Sequence, residues 1–171
     1  MTIVVYRDGV IAADSAGSRG DRLVGYFTKI TKTDAGMLAG AEGEAGCIET
    51  FLKWVREGCT PDNVPDFKED HVSGFTVNPR GVITGYNWMF QPYVVDWPFY
   101  GVGSGYAVAQ GAMEAGATAE RAVEIAIKYC DGCGGPVKTL RLDSVAPLDM
   151  AGEVYEYRQH FTVGPNLMRQ G

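Results

Sequence analysis

The stretch TIVVYRDGVIAADS, residues 2–15, constrains the fold more than any other part of the chain. Apolar, β-rich runs at 2–7 and 9–15 flank Asp8-Gly9, a dipeptide suited to a tight hairpin turn because both of its residues tolerate positive φ. A two-residue turn fixes the register of the strands around it. Residue i then pairs with residue 17 − i, which sets Asp14 opposite Ile3 and Ser15 opposite Thr2. A turn one residue narrower or wider shifts this pairing by a single place while still leaving an acid near Thr2. A carboxylate is thereby held beside the start of the chain. Once Met1 is removed, Thr2 carries a hydroxyl nucleophile and a free amine on one residue.

The remaining composition narrows the function classes. A length of 171 residues predicts a single domain, 1–171, with a core of its own. Hydrophobic residues at 46% and charged residues at 21% are those of an ordinary globular chain. A net charge of −6 with no Lys/Arg stripe speaks against a nucleic-acid partner. No apolar run approaches the roughly 18 residues of a membrane span. No leader pattern precedes Thr2, so the expected location is cytoplasmic and the cysteines are expected to be reduced.

Neither cofactor nor metal is expected. Cys130-Asp131-Gly132-Cys133 is half of a zinc site, but Cys47 and Cys59 make no second close pair and His71 and His160 make no ligand motif. A thioredoxin-like motif would open a helix after a strand, whereas this segment follows a helix. Gly101-Val102-Gly103-Ser104-Gly105 lacks the G-x-G-x-x-G spacing and the Gly-Lys-Ser/Thr of phosphate-binding loops.

Along the chain, residues 17–21 predict a loop and residues 26–32 an alternating, half-buried strand. A turn at 34–36 leads to the short strand MLAGA, residues 37–41. Ala45, Ile48, Phe51, Leu52 and Val55 then recur at helical spacing, predicting a helix over 44–57 that ends near Gly58. Residues 71–78 and 82–87 pair around Pro79-Arg80-Gly81, and a further apolar piece covers 99–102. Helices follow at 105–115 and 118–130, the second capped by Thr118. Their apolar content on most sides predicts that they are sandwiched. A last strand lies in GGPVKTLRL, and residues 153–163 of the poorly assigned tail (143–171) read as one more. Strands and helices are segregated, so the class is α+β with largely antiparallel sheets layered between helices.

Chemistry concentrates at the hairpin. A lysine beside Thr2 eases deprotonation of its hydroxyl, and Lys29 on the following strand is the candidate, with Asp14 holding the ammonium. The Thr2 amine, with a reference pKa of about 8, can serve as general base. Backbone N–H groups can stabilise an oxyanion, and Gly40 allows close approach of a carbonyl. The ordinary alternative is a turn-forming Asp14 and a solvated strand Lys29.

TIVVYRDGVIAADS, TKITK, LAGAEGEA, YGVGSGYAVAQGAMEAGATAERAVEIAI and CDGCGGPVKTLRL, in that order, resemble the proteasome β-subunit family, which includes the HslV-type bacterial peptidases. The resemblance implies a four-layer αββα fold of N-terminal nucleophile hydrolases and a self-assembled ring enclosing its active sites. It places Thr2 at the nucleophile, Asp14 and Lys29 at the acid and the lysine, and Gly40 at the oxyanion glycine. Ser104 falls on the serine of the GSG loop, Asp131 on the aspartate before the last strand, and Cys133 where a serine commonly orients the amine. The chain departs from the family in a shorter first strand, in Thr2-Ile3 where paired threonines are usual, and in a shorter link from Asp131 to Gly134-Gly135.

The expected function is therefore a threonine endopeptidase acting on peptides or unfolded proteins within a homo-oligomeric ring, with an ATP-dependent unfoldase as a further partner. Two alternatives stand beside it. One is a non-catalytic ring or phage-type shell component, the other an amide hydrolase for small molecules on the same fold.

Overall fold

The computed structural model describes residues 1–20, 22–66 and 72–143; the expected strand at 153–163 lies outside them. The first hairpin forms as its turn chemistry dictates. Asp8 and Gly9 sit at φ 48° and 78°, both positive as a type I′ turn requires. Strands β1 (Val4–Arg7) and β2 (Val10–Ala13) pair with Val4 opposite Ala13 and Tyr6 opposite Ile11, the 17 − i register.

β1 lies inside a four-stranded antiparallel sheet, bounded by β10 (Phe99–Val102) on one side and β2 on the other, with β11 (Lys138–Arg141) beyond β2. A second, five-stranded antiparallel sheet runs in chain order through β5 (Ile30–Lys32), β6 (Leu38–Gly43), β7 (Val72–Val77), β8 (Ile83–Tyr86) and β9 (Pro92–Val95). β3 (Ala16–Arg19) and β4 (Arg22–Tyr26) form a separate two-stranded ribbon.

Period-two alternation sorts the apolar side chains into three cores. Val4, Tyr6 and Ile11 of the first sheet meet Leu38, Phe75 and Val77 of the second between the sheets. Ile3, Val5 and Ala12 face the other way, under helices α2 (Tyr106–Glu114) and α3 (Ala119–Tyr129). Ala39 and Ala41 lie under α1 (Ala45–Arg56), whose Ile48, Phe51, Leu52 and Val55 cover the second sheet. Each fully buried large side chain contributes about 1.5–3 kcal/mol. The order of layers is α1, five-stranded sheet, four-stranded sheet, α2 and α3: the expected αββα arrangement.

Local departures from the sequence reading have local causes. The stretch expected as one strand over 26–32 is broken: β4 ends at Tyr26, β5 starts at Ile30, and Phe27, Thr28 and Lys29 turn between them. Residues 17–21, expected as loop, include the end of β3. α2 and α3 form an outer layer rather than being sandwiched. Ala107, Gln110 and Gly111 are exposed on α2, while Ala109 and Met113 are buried. Alanine favours helix without requiring burial, so an alanine-rich helix can read as buried on all sides when it is not. Thr118 caps α3 as expected, its hydroxyl accepting from the Arg121 N–H at 3.2 Å. Among the described residues no helix is long and apolar enough to cross a membrane.

Candidate active site

Thr2 lies two residues before β1 begins and is 5% exposed. Ile3 points to the helix side and Val4 between the sheets, so alternation carries Thr2 to the Val4 side, facing the second sheet. Its backbone is clamped by the loop after β10. The Thr2 carbonyl accepts from Gly105 N–H at 3.3 Å. Gly103, at φ 102°, lies so close that a Cβ there would collide with the same carbonyl. Only glycine fits that position.

Asp14, directly after β2, is fully buried and spends both carboxylate oxygens. Oδ1 accepts from Ile3 N–H at 3.0 Å and from Lys29 Nζ at 2.7 Å, and Oδ2 accepts from Gly134 N–H at 3.0 Å. The Asp14 N–H returns a bond to the Ile3 carbonyl at 3.1 Å. One carboxylate thus fixes the residue after Thr2, the lysine ammonium and the start of the 134–136 segment. Lys29, 3% exposed, also donates to the Ala16 carbonyl at 2.8 Å. Two of its three N–H donors are taken by these bonds. A pair buried this deeply is tolerated because each charge meets its opposite and further hydrogen bonds.

Thr2 and Lys29 line one cavity of about 370 Å³. Its walls come from β3 (Ala16, Gly17, Ser18, Arg19), from Val24 and Phe27 of the segment after it, from the start of α1 (Gly43, Glu44, Ala45, Ile48) and from Met1. Gly43 ends β6 at φ 135°, a left-handed value that turns the chain out of the strand and into α1. The residues that open α1 line the cavity, and as at any helix start the first N–H groups have no intrahelical partner. They carry the positive end of the helix dipole.

The sequence-derived residues separate on this geometry. Thr2, Asp14 and Lys29 come together. Gly40 does not join them: it faces the first sheet, where a Cβ would meet Val4 Cγ1 at 2.5 Å and Ile11 Cδ1 at 3.1 Å, and it does not line the cavity. Its lack of a side chain serves the close approach of the two sheets. Ser104 is exposed in the loop before α2, and Asp131 is exposed in the turn after α3; neither lines the cavity. Cys133 is buried under the helices, near Ile3. Burial, and then the negative charge of Asp14 and Cys130, push its thiol up to about 11, against the pull of Lys29 and the N-terminal ammonium.

Several participants carried no sequence signal of their own. Gly43 sits three residues beyond Gly40 in AGAEG, and only knowing where β6 gives way to α1 separates the two. Glu42, which precedes Gly43 and does not itself line the cavity, is half-buried, and its burial raises its carboxyl pKa although the N-terminal ammonium draws it down. The Gly134 N–H and the Ala16 carbonyl act through backbone atoms. Among the described residues no group of His, Cys, Asp and Glu is arranged to hold a metal ion.

No family model matches the chain, and no curated protein matches it. Solved structures do. Thiobacillus denitrificans BPH in complex with epoxomicin superposes at a TM-score of 0.60 with 21% identity, over 84% of this chain and 99% of that one. Thiobacillus denitrificans BPH alone gives 0.61 and 20%, over 86% and 99%. Eukaryotic HslV from Trypanosoma brucei gives 0.63 and 13%, over 82% and 98%. The chain therefore shares the αββα, proteasome β-subunit/HslV-type fold of these structures.

Proposed function

We propose that this chain is a proteasome-like threonine peptidase whose nucleophile is Thr2, exposed as the first residue by removal of Met1. The observation that supports it most is the convergence of Thr2, Lys29 and the start of α1 on one cavity, with Asp14 buried behind them. The Thr2 hydroxyl oxygen attacks the peptide carbonyl carbon and passes its proton to the Thr2 amine. The third Lys29 N–H, left over from Asp14 and Ala16, serves the forming alkoxide. The Gly43 N–H, with the N-terminal end of α1, takes the oxyanion role expected of Gly40. The tetrahedral intermediate collapses as the amine returns its proton to the leaving nitrogen, which departs as the new peptide amine. Water, deprotonated by the same amine, then hydrolyses the Thr2 ester and regenerates the hydroxyl.

On this reading the chain works as a cytoplasmic homo-oligomeric ring that admits peptides or unfolded protein, with an ATP-dependent unfoldase as supplier. A second reading, a non-catalytic assembly component on the same fold, is favoured by the exposure of Ser104 and Asp131 away from the cavity. The test joins peptide hydrolysis with native mass spectrometry. The peptidase reading expects ring-sized assemblies that cleave a fluorogenic peptide panel, with cleavage lost in Thr2→Ala rings of unchanged mass. Rings that cleave nothing although Met1 is gone would favour the assembly reading. Undiminished cleavage by Thr2→Ala would exclude Thr2 as nucleophile.

A further inference from the structure

The Cys130–Cys133 turn takes no part in the chemistry proposed for Thr2, yet it borders the site closely. Cys130 caps the C-terminal end of α3, its N–H bonded to the Ala126 carbonyl at 2.8 Å. The Cys133 N–H donates to the Cys130 carbonyl at 3.4 Å, and Gly132 takes φ 79° between them. Such a four-residue turn holds its terminal Cα atoms within about 7 Å, close to the range of roughly 4.4–6.8 Å that a disulfide spans. Both side chains belong to the apolar cluster under α3, with Cys133 inside it and Cys130 at its edge. The two thiols also feel each other: Cys130 is among the groups that raise the Cys133 pKa.

The segment after this turn holds the buried ion pair. Gly134 N–H donates to Asp14 Oδ2, and the Gly134 carbonyl accepts from Ser15 N–H at 3.1 Å and Ala16 N–H at 2.9 Å. Ala16 in turn presents its carbonyl to Lys29. Cys133 is tightly seated: a Cβ on Gly105 would lie 2.9 Å from its Sγ. Drawing that sulfur toward Cys130 displaces the residue that leads directly into Gly134.

We propose that Cys130 and Cys133 form a redox-sensitive dithiol, and that its closure to a disulfide by a low-molecular-weight disulfide loosens the hold of Gly134 on Asp14. Cys130, half-exposed, reacts first. Its thiol loses a proton, the thiolate attacks one sulfur of the small disulfide, and one small thiolate leaves. Cys133 then loses its proton and its thiolate attacks Cys130 Sγ, expelling the second small thiolate. The two protons go to the two released thiolates. The cysteine pair is oxidised and the small disulfide is reduced. The raised Cys133 pKa makes the second step slow at neutral pH and faster as the pH rises.

The test uses the reduced full-length protein, oxidised glutathione, peptide mapping and amide hydrogen exchange. The expected result is an internal Cys130–Cys133 disulfide with exchange at Ser15, Ala16 and Gly134 faster by about tenfold, the factor that one lost hydrogen bond supplies. Dithiothreitol should reverse both changes, and Cys130→Ser should show neither. Arrest at a glutathione adduct on Cys130, closure of the disulfide with unchanged exchange, or the same acceleration in Cys130→Ser would each overturn the proposal. Hydrogen exchange reads the Asp14 clamp directly, so the result stands whether or not the chain hydrolyses peptides.

Discussion

Asp14 Oδ1 lies 2.7 Å from Lys29 Nζ, and the two side chains are 0% and 3% exposed. Breaking such a pair from one side strands a charge in the interior. Lys29→Met should therefore destabilise the fold by about 3–5 kcal/mol, read as a lower denaturation midpoint in urea. Adding Asp14→Asn should restore part of the loss, because the stranded charge is then gone. A Lys29→Met protein as stable as the parent would contradict the buried pairing.

Gly40 and Gly43 should answer substitution differently. Gly40→Ala forces a methyl against Val4 between the sheets, so stability falls, by about 1–3 kcal/mol. Gly43→Ala strains a residue at φ 135° and moves the N–H proposed to meet the oxyanion. Peptide hydrolysis should drop by about 100-fold or more in rings that still assemble. A Gly43→Ala enzyme with parental kcat would remove that glycine from the oxyanion role.

Glycine positions also offer a stability contrast free of any assumption about activity. Gly103→Ala, with the Thr2 carbonyl in its way, should cost about 2 kcal/mol or more. Gly111→Ala on the exposed face of α2, where a Cβ meets nothing within 4 Å, should gain about 0.5–1 kcal/mol. Thermal or urea unfolding of the two variants checks both signs.

Glu42 gives a pH signature. Its folded-state pKa is raised, chiefly by burial, so its ionised form weighs against folding at neutral pH. That cost is relieved as pH falls through the raised folded pKa toward the unfolded one. Glu42→Gln should be more stable than the parent at pH 7, with the difference shrinking on acidification. A difference that grows toward acid would mean that the carboxylate is stabilised in the fold.

How much of this was legible in the sequence depended on range. The hairpin register was, to within one place, because Asp8-Gly9 marks the turn and the width of the turn sets which residue faces Ile3. The helices were, to within one residue at either end, because their apolar spacing and the Thr118 cap are local signals. The break at Phe27–Lys29 was not: the alternation continues through it, and the burial of Lys29 follows from contacts with Asp14 and Ala16 far back in the chain. β9 was missed because Pro92 at its start reads as a strand breaker, whereas an edge strand tolerates proline there. Gly40 was named from the resemblance and from the room a glycine leaves; the face it presents, toward Val4 and Ile11, follows from the packing of the first sheet, which no local signal carries.

The central claim is that Thr2 becomes the N-terminal nucleophile of this cavity. Since the similar Thiobacillus denitrificans BPH is seen in complex with epoxomicin, intact-mass spectrometry of the purified chain incubated with epoxomicin tests it most directly. The account expects a chain lacking Met1 that carries one epoxomicin, with no adduct on Thr2→Ala. A chain that keeps Met1 and takes up no epoxomicin, or an adduct that persists in Thr2→Ala, would contradict it.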